Sequence, residues 1–553
     1  MGTRSQLLRW GVALLTGTVI LGFTAHYFVD GLVRTRLQTA LQRAAGQYHT
    51  VHLGEVRTNL LNGSLEVLNA SMNFDSVAMD SLLAGAPNGL LRIHADRIAF
   101  SGLSYAQLLR NGGVSVKAID ILGPTIDHYL PLPGRPLDET TPTTDSAQGL
   151  PPLVTVDTLR ILGAHGGTHD PSGERTSARV GEMDILSGGI VVVPRGKGRV
   201  VFRTRSTVLM ARALSAAFPP LYDLHIGTLE LLHPAGILRA TAVAFDPRAD
   251  AQGYGDVVKY ETDLFRARAD TLLVTGMDIH RFVVLQELFV QHADVRSPVL
   301  SIYRDKTMPD GPFRGRRLPP AGLRHMDRRM RVDSVTIRNG LVEYYERDSL
   351  SADYGKVSFA GLDAVLTGMG NTPDLLASGE LRLDATARIY DRSTIEAHYR
   401  APLREGSDQF TLHARLRALP FSAFNRMTDS LLMVKVKAGR IDELEMRMRG
   451  NDDHATGTLD VVYDGLDVML QSRDPRQPRT WLMNRALQLL VRKSNLRGAK
   501  NYRQGTFTVV RRRDRSIFNY AWRGVRAGTL DSMVPGLLSK YAQQKANKKA
   551  RER

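Results

Sequence analysis

The chain has 553 residues, which is too many for one compact hydrophobic core, so several domains or an extended repeat are expected. It contains no cysteine, which excludes disulfides, thiol catalysis and cysteine-based metal sites. The formal net charge is +17, and residues 485–553 carry +15 of it, with 18 Lys/Arg against three acidic residues. A local basic charge of this kind suits anionic lipid head groups or nucleic acid.

Residues 10–29 form an apolar stretch without Asp, Glu, Lys or Arg, and this stretch is long enough to cross a bilayer as a helix. Trp10 and Tyr27 lie near its ends, where aromatic rings favour the membrane interface. Two arginines in the leader, residues 1–9, favour a cytoplasmic N-terminus, although three arginines also follow the stretch. The alternative is a cleaved signal peptide, but the apolar stretch is longer than a usual signal core and lacks a clear cleavage site. The sequence therefore predicts a single-pass transmembrane helix.

The next segment, residues 30–47, repeats apolar side chains at helical spacing, as at Val33, Leu37 and Leu41. We expect it to be an amphipathic stalk that links the membrane helix to the first strands.

The middle of the chain contains an internal duplication. At an offset of 174 residues, Gly102 aligns with Gly276 and Pro124 with Pro298, and further matches follow in the same order. The sequence therefore predicts β repeat 1 over 48–200 and β repeat 2 over 220–375. Each repeat is interrupted by a Pro-rich segment, 131–152 in the first and 308–330 in the second, and both are predicted to be loops. Long repeats indicate a stacked or elongated architecture.

Residues 376–475 alternate apolar and polar side chains with the period of two that is typical of strands. One face is therefore apolar and the other polar, as in antiparallel sheets that are covered on one side. The apolar face is either the core of an ordinary sandwich or barrel, or the lining of an open groove in a curved sheet, and the pattern alone leaves both arrangements open. If the groove is present, the side chains predicted to face its contents are Leu381, Leu383, Ile389, Phe410, Leu412 and Leu416.

Residues 480–553 are predicted to form a basic module of short helices, one strand and a tail. Phe518, Trp522, Arg523 and Arg526 place aromatic and basic side chains together on one helix, a combination that is typical of a membrane-interface segment. The alternative is a helix that caps one end of the sheet. Nucleic-acid binding is not expected, because the basic residues match no known nucleic-acid-binding motif.

No P-loop, nucleophile elbow, zincin helix or calcium-binding loop is present in the sequence. His165, His169 and Asp170 are the one weak candidate for a metal site, since two imidazoles and a carboxylate can bind zinc. The duplicated segment, residues 339–348, has no histidine, which favours a hairpin at this position instead. We therefore predict no cofactor, no metal, no catalytic residue and no enzymatic activity.

Two segments resemble the AsmA-like proteins of bacterial envelopes when they are taken with the predicted anchor and the repeats. They are VHLGEVRTNLLNGSLEVLNASM at 51–72 and GRIDELEMRMRGNDDHATGTLDVVYDGLDVML at 439–470. Residues 493–528 are similar to the C-terminal end of such proteins from Bacteroidetes-type bacteria. The resemblance implies an elongated β-groove that is related to bridge-like lipid-transfer proteins, an inner-membrane anchor, and a role in phospholipid movement or outer-membrane biogenesis.

The prediction is therefore a mainly β protein with an elongated, curved antiparallel sheet, an N-terminal transmembrane helix and short C-terminal helices. Its bulk would lie in the periplasm, where it would bind or guide the acyl chains of membrane lipids, most simply phospholipids, and contribute to envelope lipid homeostasis. The alternative is a non-catalytic envelope scaffold or assembly factor that has a closed β core and holds protein partners.

Overall fold

The computed structural model describes residues 30–551, apart from 104–113, 131–153, 428–433, 471–490 and several shorter gaps. The predicted leader and transmembrane helix, residues 1–29, lie outside the described residues. Within the described ranges, no helix is both long enough and apolar enough to span a membrane. The chain divides into two units, Met1–Phe218 with His225–Ala235, and Pro219–Leu224 with Gly236–Arg553.

The strands follow one another through most of the described chain. The first unit contains β1 (Thr50–His52), β2 (Val56–Asn59), β3 (Ser64–Asn73), β4 (Leu90–Ser101), β5 (Val114–Leu122), β6 (Thr125–Tyr129), β7 (Val154–His169), β8 (Thr176–Arg195), β9 (Arg199–Arg203) and β10 (Ser206–Phe218), and β11 (Tyr222–His233) has residues in both units. The second unit contains β12 (Ile237–Pro247), β13 (Asp263–Thr275), β14 (Leu288–Arg296), β15 (Val299–Asp305), β16 (Met330–Arg347), β17 (Gly355–Gly370), β18 (Glu380–Ile389), β19 (Ser393–Pro402), β20 (Phe410–Leu416), β21 (Leu419–Pro420), β22 (Val434–Gly450), β23 (His454–Leu470) and β24 (Gly505–Val510).

The helices are fewer and lie mostly between strands or at the C-terminal end. They are α1 (Ser76–Ala84), α2 (Tyr254–Val257), α3 (Pro319–Arg324), α4 (Pro373–Ser378), α5 (Ile517–Met533) and α6 (Gly536–Arg551), with a π-helical turn at Arg281–Leu285 and a 3-10 turn at Phe421–Phe424. Residues 30–39 are also helical. Helices were predicted in the C-terminal module, and α5 and α6 lie there with 17 and 16 residues.

The fold is mainly β and most strand pairs are antiparallel, which confirms the predicted fold class at this level. The sheet is not purely antiparallel, however, since β5 and β6 both run parallel to β7, and β14 and β15 both run parallel to β16. Two parallel neighbours need a crossover of a dozen or more residues between them. The Pro-rich segments supply this crossover, because one joins β6 to β7 and the other joins β15 to β16.

The two duplicated segments have the same strand arrangement and the same register. Arg97 pairs with Leu122 between β4 and β5, and Thr271 pairs with Arg296 between β13 and β14, which is the same pair shifted by 174 residues. In the parallel pairs, Val116 lies opposite Val156, and its counterpart Val290 lies opposite Val332. The sequence repeat is therefore also a repeat of hydrogen-bonded topology.

One matched glycine shows why the duplicated turns need this residue. Gly63 and Gly236 both have a φ of +65°, which side chains with a Cβ rarely adopt. A Cβ at either position would lie 2.7 Å from a backbone oxygen, that of Leu103 in the first copy and that of Met277 in the second. The two copies therefore share the turn geometry as well as the strand order.

The segment predicted to be a stalk packs against the first unit. Val33 and Leu37 contact the buried cluster that contains Val51, Val56 and Leu65. The Arg34 guanidinium donates to the Leu53 oxygen at 2.8 Å. The described part of residues 30–47 is thus a helix whose apolar side covers the first strands.

The largest buried cluster lies at the C-terminal end of the second unit. It combines strand residues such as Phe410, Met446 and Leu459 with Tyr520 and Met533 of α5. The short helix α3 contributes to the same cluster through Leu318, which is the residue directly before it. The second Pro-rich segment therefore includes a helix that is packed on this core.

Candidate functional site

The apolar face of the second unit is continuous across eleven strands, as the strand register shows. One row of directly opposed residues runs from β12 to β24 without a polar side chain. Its members are Ala240, Leu272, Val295, Ile337, Ala364, Ala385, Ala397, Ala414, Met446, Leu459 and Gly505. The next row on the same face is also apolar, apart from the hydroxyl of Tyr399. It contains Leu238, Val274, Ala293, Val335, Leu366, Leu383, Tyr399, Leu412, Met448, Gly457 and Phe507.

The middle of the first row consists of four alanines on four neighbouring strands. Ala364, Ala385, Ala397 and Ala414 lie opposite one another on β17, β18, β19 and β20, and the last three are only half-buried. We call these four residues the alanine trough. Because strands are spaced by about 4.8 Å, the trough extends about 14 Å across the sheet.

Larger apolar side chains border the alanine trough. On one side lie Leu366, Leu383, Tyr399 and Leu412, and on the other side lie Ile395 and Leu416. Successive side chains on one face of a strand are about 6.8 Å apart, so each border is close to the alanines. By register, small side chains thus lie between two rows of larger apolar ones, a channel-like arrangement that suits an extended hydrocarbon chain, and Ala414 at one end of it also packs against the largest buried cluster.

The first unit has a comparable row. Val67, Ile98, Ile121, Ile161, Ile185 and Leu209 lie opposite one another on β3, β4, β5, β7, β8 and β10. Val67 is buried, whereas the other five are half-buried, so this face also keeps apolar atoms accessible to solvent. Its members are large rather than small, so the alanine trough belongs to the second unit.

The six residues predicted to face lipid lie on the same side of the sheet, but they differ in burial. Leu383 and Leu412 are half-buried on one border of the trough, where they pack against the largest buried cluster. The other four, Leu381, Ile389, Phe410 and Leu416, are buried in clusters made of the chain's own side chains.

The C-terminal end of the apolar face is covered by α5. A Cβ on Gly524 would lie 3.0 Å from the Phe507 ring, and a Cβ on Gly528 would lie 2.5 Å from the Leu459 Cβ. The two glycines thus allow the helix backbone to lie directly on β23 and β24. One face of α5 therefore covers the end of the sheet, as the capping alternative predicted.

The opposite face of α5 is exposed. Phe518 and Trp522 are 79% and 46% exposed, and Arg526 is exposed on the same stripe. Arg523 differs from these three, because its guanidinium donates to the Ala546 oxygen of α6 at 3.2 Å. Trp10 and Tyr27, the other predicted interface residues, lie outside the described residues.

Helix α6 extends the exposed apolar surface in a way that the sequence analysis did not single out. Leu537, Leu538 and Tyr541 are exposed on its first turns, and Leu537 has 87% of its surface accessible. The exposed basic residues of the same helix are Lys540, Lys545, Lys548, Lys549 and Arg551. In the sequence, this surface could have been predicted from three closely spaced apolar residues that precede a lysine-rich run.

Asp531 of α5 forms hydrogen bonds with both β24 and α6. Its carboxylate accepts hydrogen bonds from the Thr506 backbone N–H of β24 at 3.0 Å and from the Ser539 hydroxyl of α6 at 2.6 Å. Arg503 donates to the same carboxylate at 2.8 Å. Burial acts to raise the pKa of Asp531, but these hydrogen bonds and the Arg503 charge outweigh it, so the pKa lies below its ordinary value. The carboxylate therefore holds the two helices on the sheet in its ionised form.

A buried ion-pair network connects the loop between β24 and α5 to residues near the start of β13. The Glu261 carboxylate accepts from Arg304 at 2.7 Å and from two nitrogens of Arg515 at 2.9 Å each. Asp263 accepts from Arg304 at 2.8 Å. Burial acts to lower the pKa of Arg304, but the attraction of Asp263 and Glu261 outweighs it and raises that pKa. These bonds are structural, since they satisfy the network's own charges.

The three residues of the weak metal candidate each form a hydrogen bond with a different partner. His165 pairs with the Thr125 hydroxyl at 3.0 Å, and His169 pairs with Asp127 at 2.9 Å. Asp170 accepts from the Ser172 hydroxyl at 2.8 Å. Among the described residues there is no group of three or more His, Asp or Glu side chains that could hold a metal ion.

The π-helical turn Arg281–Leu285 was also missed in the sequence analysis. Its four apolar side chains, Phe282, Val283, Val284 and Leu285, are all exposed. Four successive apolar residues between two polar ones were the only signal for it, and such a run is equally typical of a buried strand.

Comparison with known proteins adds no assignment. No family model matches the chain, and no curated protein sequence matches it. The AsmA-like resemblance therefore stays a prediction from the residues.

Proposed function

We propose that this protein binds lipid acyl chains along the apolar face of its sheet and works as a membrane-anchored, AsmA-like envelope protein. In this proposal, residues 10–29 cross the inner membrane and the β-sheet lies in the periplasm. The lipid is a membrane phospholipid, and its binding or guidance contributes to envelope lipid homeostasis.

The alanine trough is the observation that carries the proposal. A closed core normally fills the space above a sheet with large side chains at native packing density. Here three of four successive row positions are small and half-buried, between ridges of leucine, isoleucine and tyrosine. Each methylene that an acyl chain buries in such a channel contributes about 0.8 kcal/mol, so a long chain gains enough to bind.

Filling the alanine trough tests the proposal. The double variant Ala397→Phe/Ala414→Phe places two rings on half-buried positions, where they occupy the channel and remain compatible with the fold. We expect the purified full chain to co-purify with phospholipid, as measured by mass spectrometry of extracted lipid, and the variant to retain less than half as much.

A matched control is Thr386→Phe, which adds the same ring to the polar face of β18. This control should keep the wild-type lipid content. Wild-type protein without bound lipid, or equal lipid content in the wild type and the trough variant, would contradict the proposal.

An envelope scaffold is the second candidate, and the covered end of the apolar face favours it. Four of the predicted lipid-facing residues are buried in the protein's own clusters, and Leu383 and Leu412 pack against one of these clusters. On this alternative, Ala397→Phe/Ala414→Phe lowers the melting temperature without changing any bound lipid, and protein partners remain bound after lipid extraction.

A further inference from the structure

The polar face of the same strands has a further feature, whose charged side chains the acyl-chain proposal does not use. A surface depression with a volume of about 730 Å³ lies over β19, β20, β22 and β23. Its polar lining forms two neighbouring rows across these four strands. One row is Arg400, Thr411, Arg449 and Thr456, and the other is His398, His413, Arg447 and Thr458.

The second row is already balanced by carboxylates. The His398 ring pairs with Asp384 at 2.6 Å, and the His413 ring pairs with Glu445 at 2.8 Å. Arg447 donates to the same Glu445 oxygen at 2.8 Å. The histidines and the arginine of this row are therefore already hydrogen-bonded to carboxylates, and they contribute little uncompensated charge to the depression.

The first row is not balanced in this way. Arg400 and Arg449 are both exposed, and in the part of the chain that the structure describes neither guanidinium has a carboxylate partner. Each lies directly opposite Thr411, one strand away on either side. Two guanidinium groups therefore flank one hydroxyl, at strand spacings of about 4.8 Å.

We propose that this depression binds a phosphate group. Arginine pairs with phosphate through parallel N–H···O bonds, and two arginines on opposite sides match the two charges of a phosphate monoester. The Thr411 hydroxyl between them supplies a further donor. The group is either inorganic phosphate or the phosphomonoester head of a lipid, since both present the same oxygens.

Binding assays on the purified full chain distinguish these sources. The probes are inorganic phosphate, dihexanoyl phosphatidic acid as a monomeric phosphomonoester lipid, and dihexanoyl phosphatidylcholine as a lipid without a dianionic phosphate. Isothermal titration calorimetry measures each. The test variant is Arg400→Gln/Arg449→Gln, and the control is Arg388→Gln, an exposed arginine of β18 that pairs with Asp391 at 2.7 Å.

We expect phosphatidic acid to bind with a Kd that rises at least about tenfold in the double variant and stays unchanged in the control. The same loss for inorganic phosphate assigns the site to free phosphate as well, and a loss for the lipid alone assigns it to the head group. The proposal is overturned if neither probe binds the wild type saturably, if the double variant binds both with the wild-type Kd, or if phosphatidylcholine shows the same arginine dependence. The substituted arginines lie on the face opposite the alanine trough, so acyl chains bound in the trough would not by themselves produce an arginine dependence.

Discussion

At the scale of single residues, Asp531 shows how one buried carboxylate positions two helices. It accepts hydrogen bonds from both β24 and α6, and Arg503 supplies the countercharge. An Asn side chain at this position would carry no negative charge. Its NH2 group would also face donor groups, from which it cannot accept a hydrogen bond. A buried hydrogen bond to a charged group is worth about 1.5–3 kcal/mol.

We predict that Asp531→Asn lowers the free energy of unfolding by about 2 kcal/mol, measured by urea titration followed by circular dichroism. The pKa of Asp531 is lower in the folded state than in the unfolded state, so its stabilising effect is complete above about pH 4. This effect is lost as the pH falls through the lowered pKa, and the variant should therefore depend less on pH below about 4 than the wild type.

Asp80→Asn is the control, because Asp80 is an exposed carboxylate on α1. This change should alter the free energy of unfolding by less than about 0.5 kcal/mol. Equal effects of the two substitutions would show that the Asp531 hydrogen bonds do not hold the helices.

At the scale of elements, α5 and α6 each present two different faces. The inner face of α5 lies on β23 and β24, while Phe518 and Trp522 point to solvent and α6 adds Leu537 with a row of lysines. Exposed aromatic and aliphatic side chains beside basic ones are typical of helices that lie in the interface of an anionic membrane.

The absence of native cysteine gives a direct test of this surface. We predict that an environment-sensitive dye on Leu537→Cys shifts to the blue when the full chain is reconstituted with phosphatidylglycerol vesicles. The shift should shrink at high salt, since part of the attraction is electrostatic. The same dye on Asp464→Cys, an exposed position within β23, serves as the control. An equally polar signal at both positions would exclude the proposed membrane contact of these helices.

At the scale of the whole molecule, the duplication gives each unit an apolar row of its own. The first unit contributes the row with Ile121, Ile161 and Ile185, and the second contributes the row with the alanine trough. Both rows are partly accessible, so each unit offers a candidate surface for the proposed acyl-chain binding.

We therefore predict that native mass spectrometry of the full chain detects more than one bound phospholipid. Ala397→Phe/Ala414→Phe should reduce the number but leave lipid on the first unit. Complete loss of lipid in this variant would show instead that the second unit contains all of the binding capacity.

Much of the fold could be predicted because strand periodicity is local. The alternation from Leu381 to Ile389 and from Phe410 to Leu416 assigns each residue to one face without knowledge of its partners. The duplication was equally visible, since the paired strands keep their spacing to within a few residues. The parallel pairs were not predicted, because they depend on where a long crossover returns the chain.

The candidate site could be predicted only in part. The sequence by itself determined that the chain is mainly β, that it repeats, and that Leu383 and Leu412 share an apolar face. Only the tertiary structure decided that four alanines from four strands align, that Arg400 and Arg449 flank Thr411, and that α5 covers one end of the face. The physical reason is that periodicity acts within a strand, whereas register and covering depend on hydrogen bonds and packing between residues that are distant in the sequence.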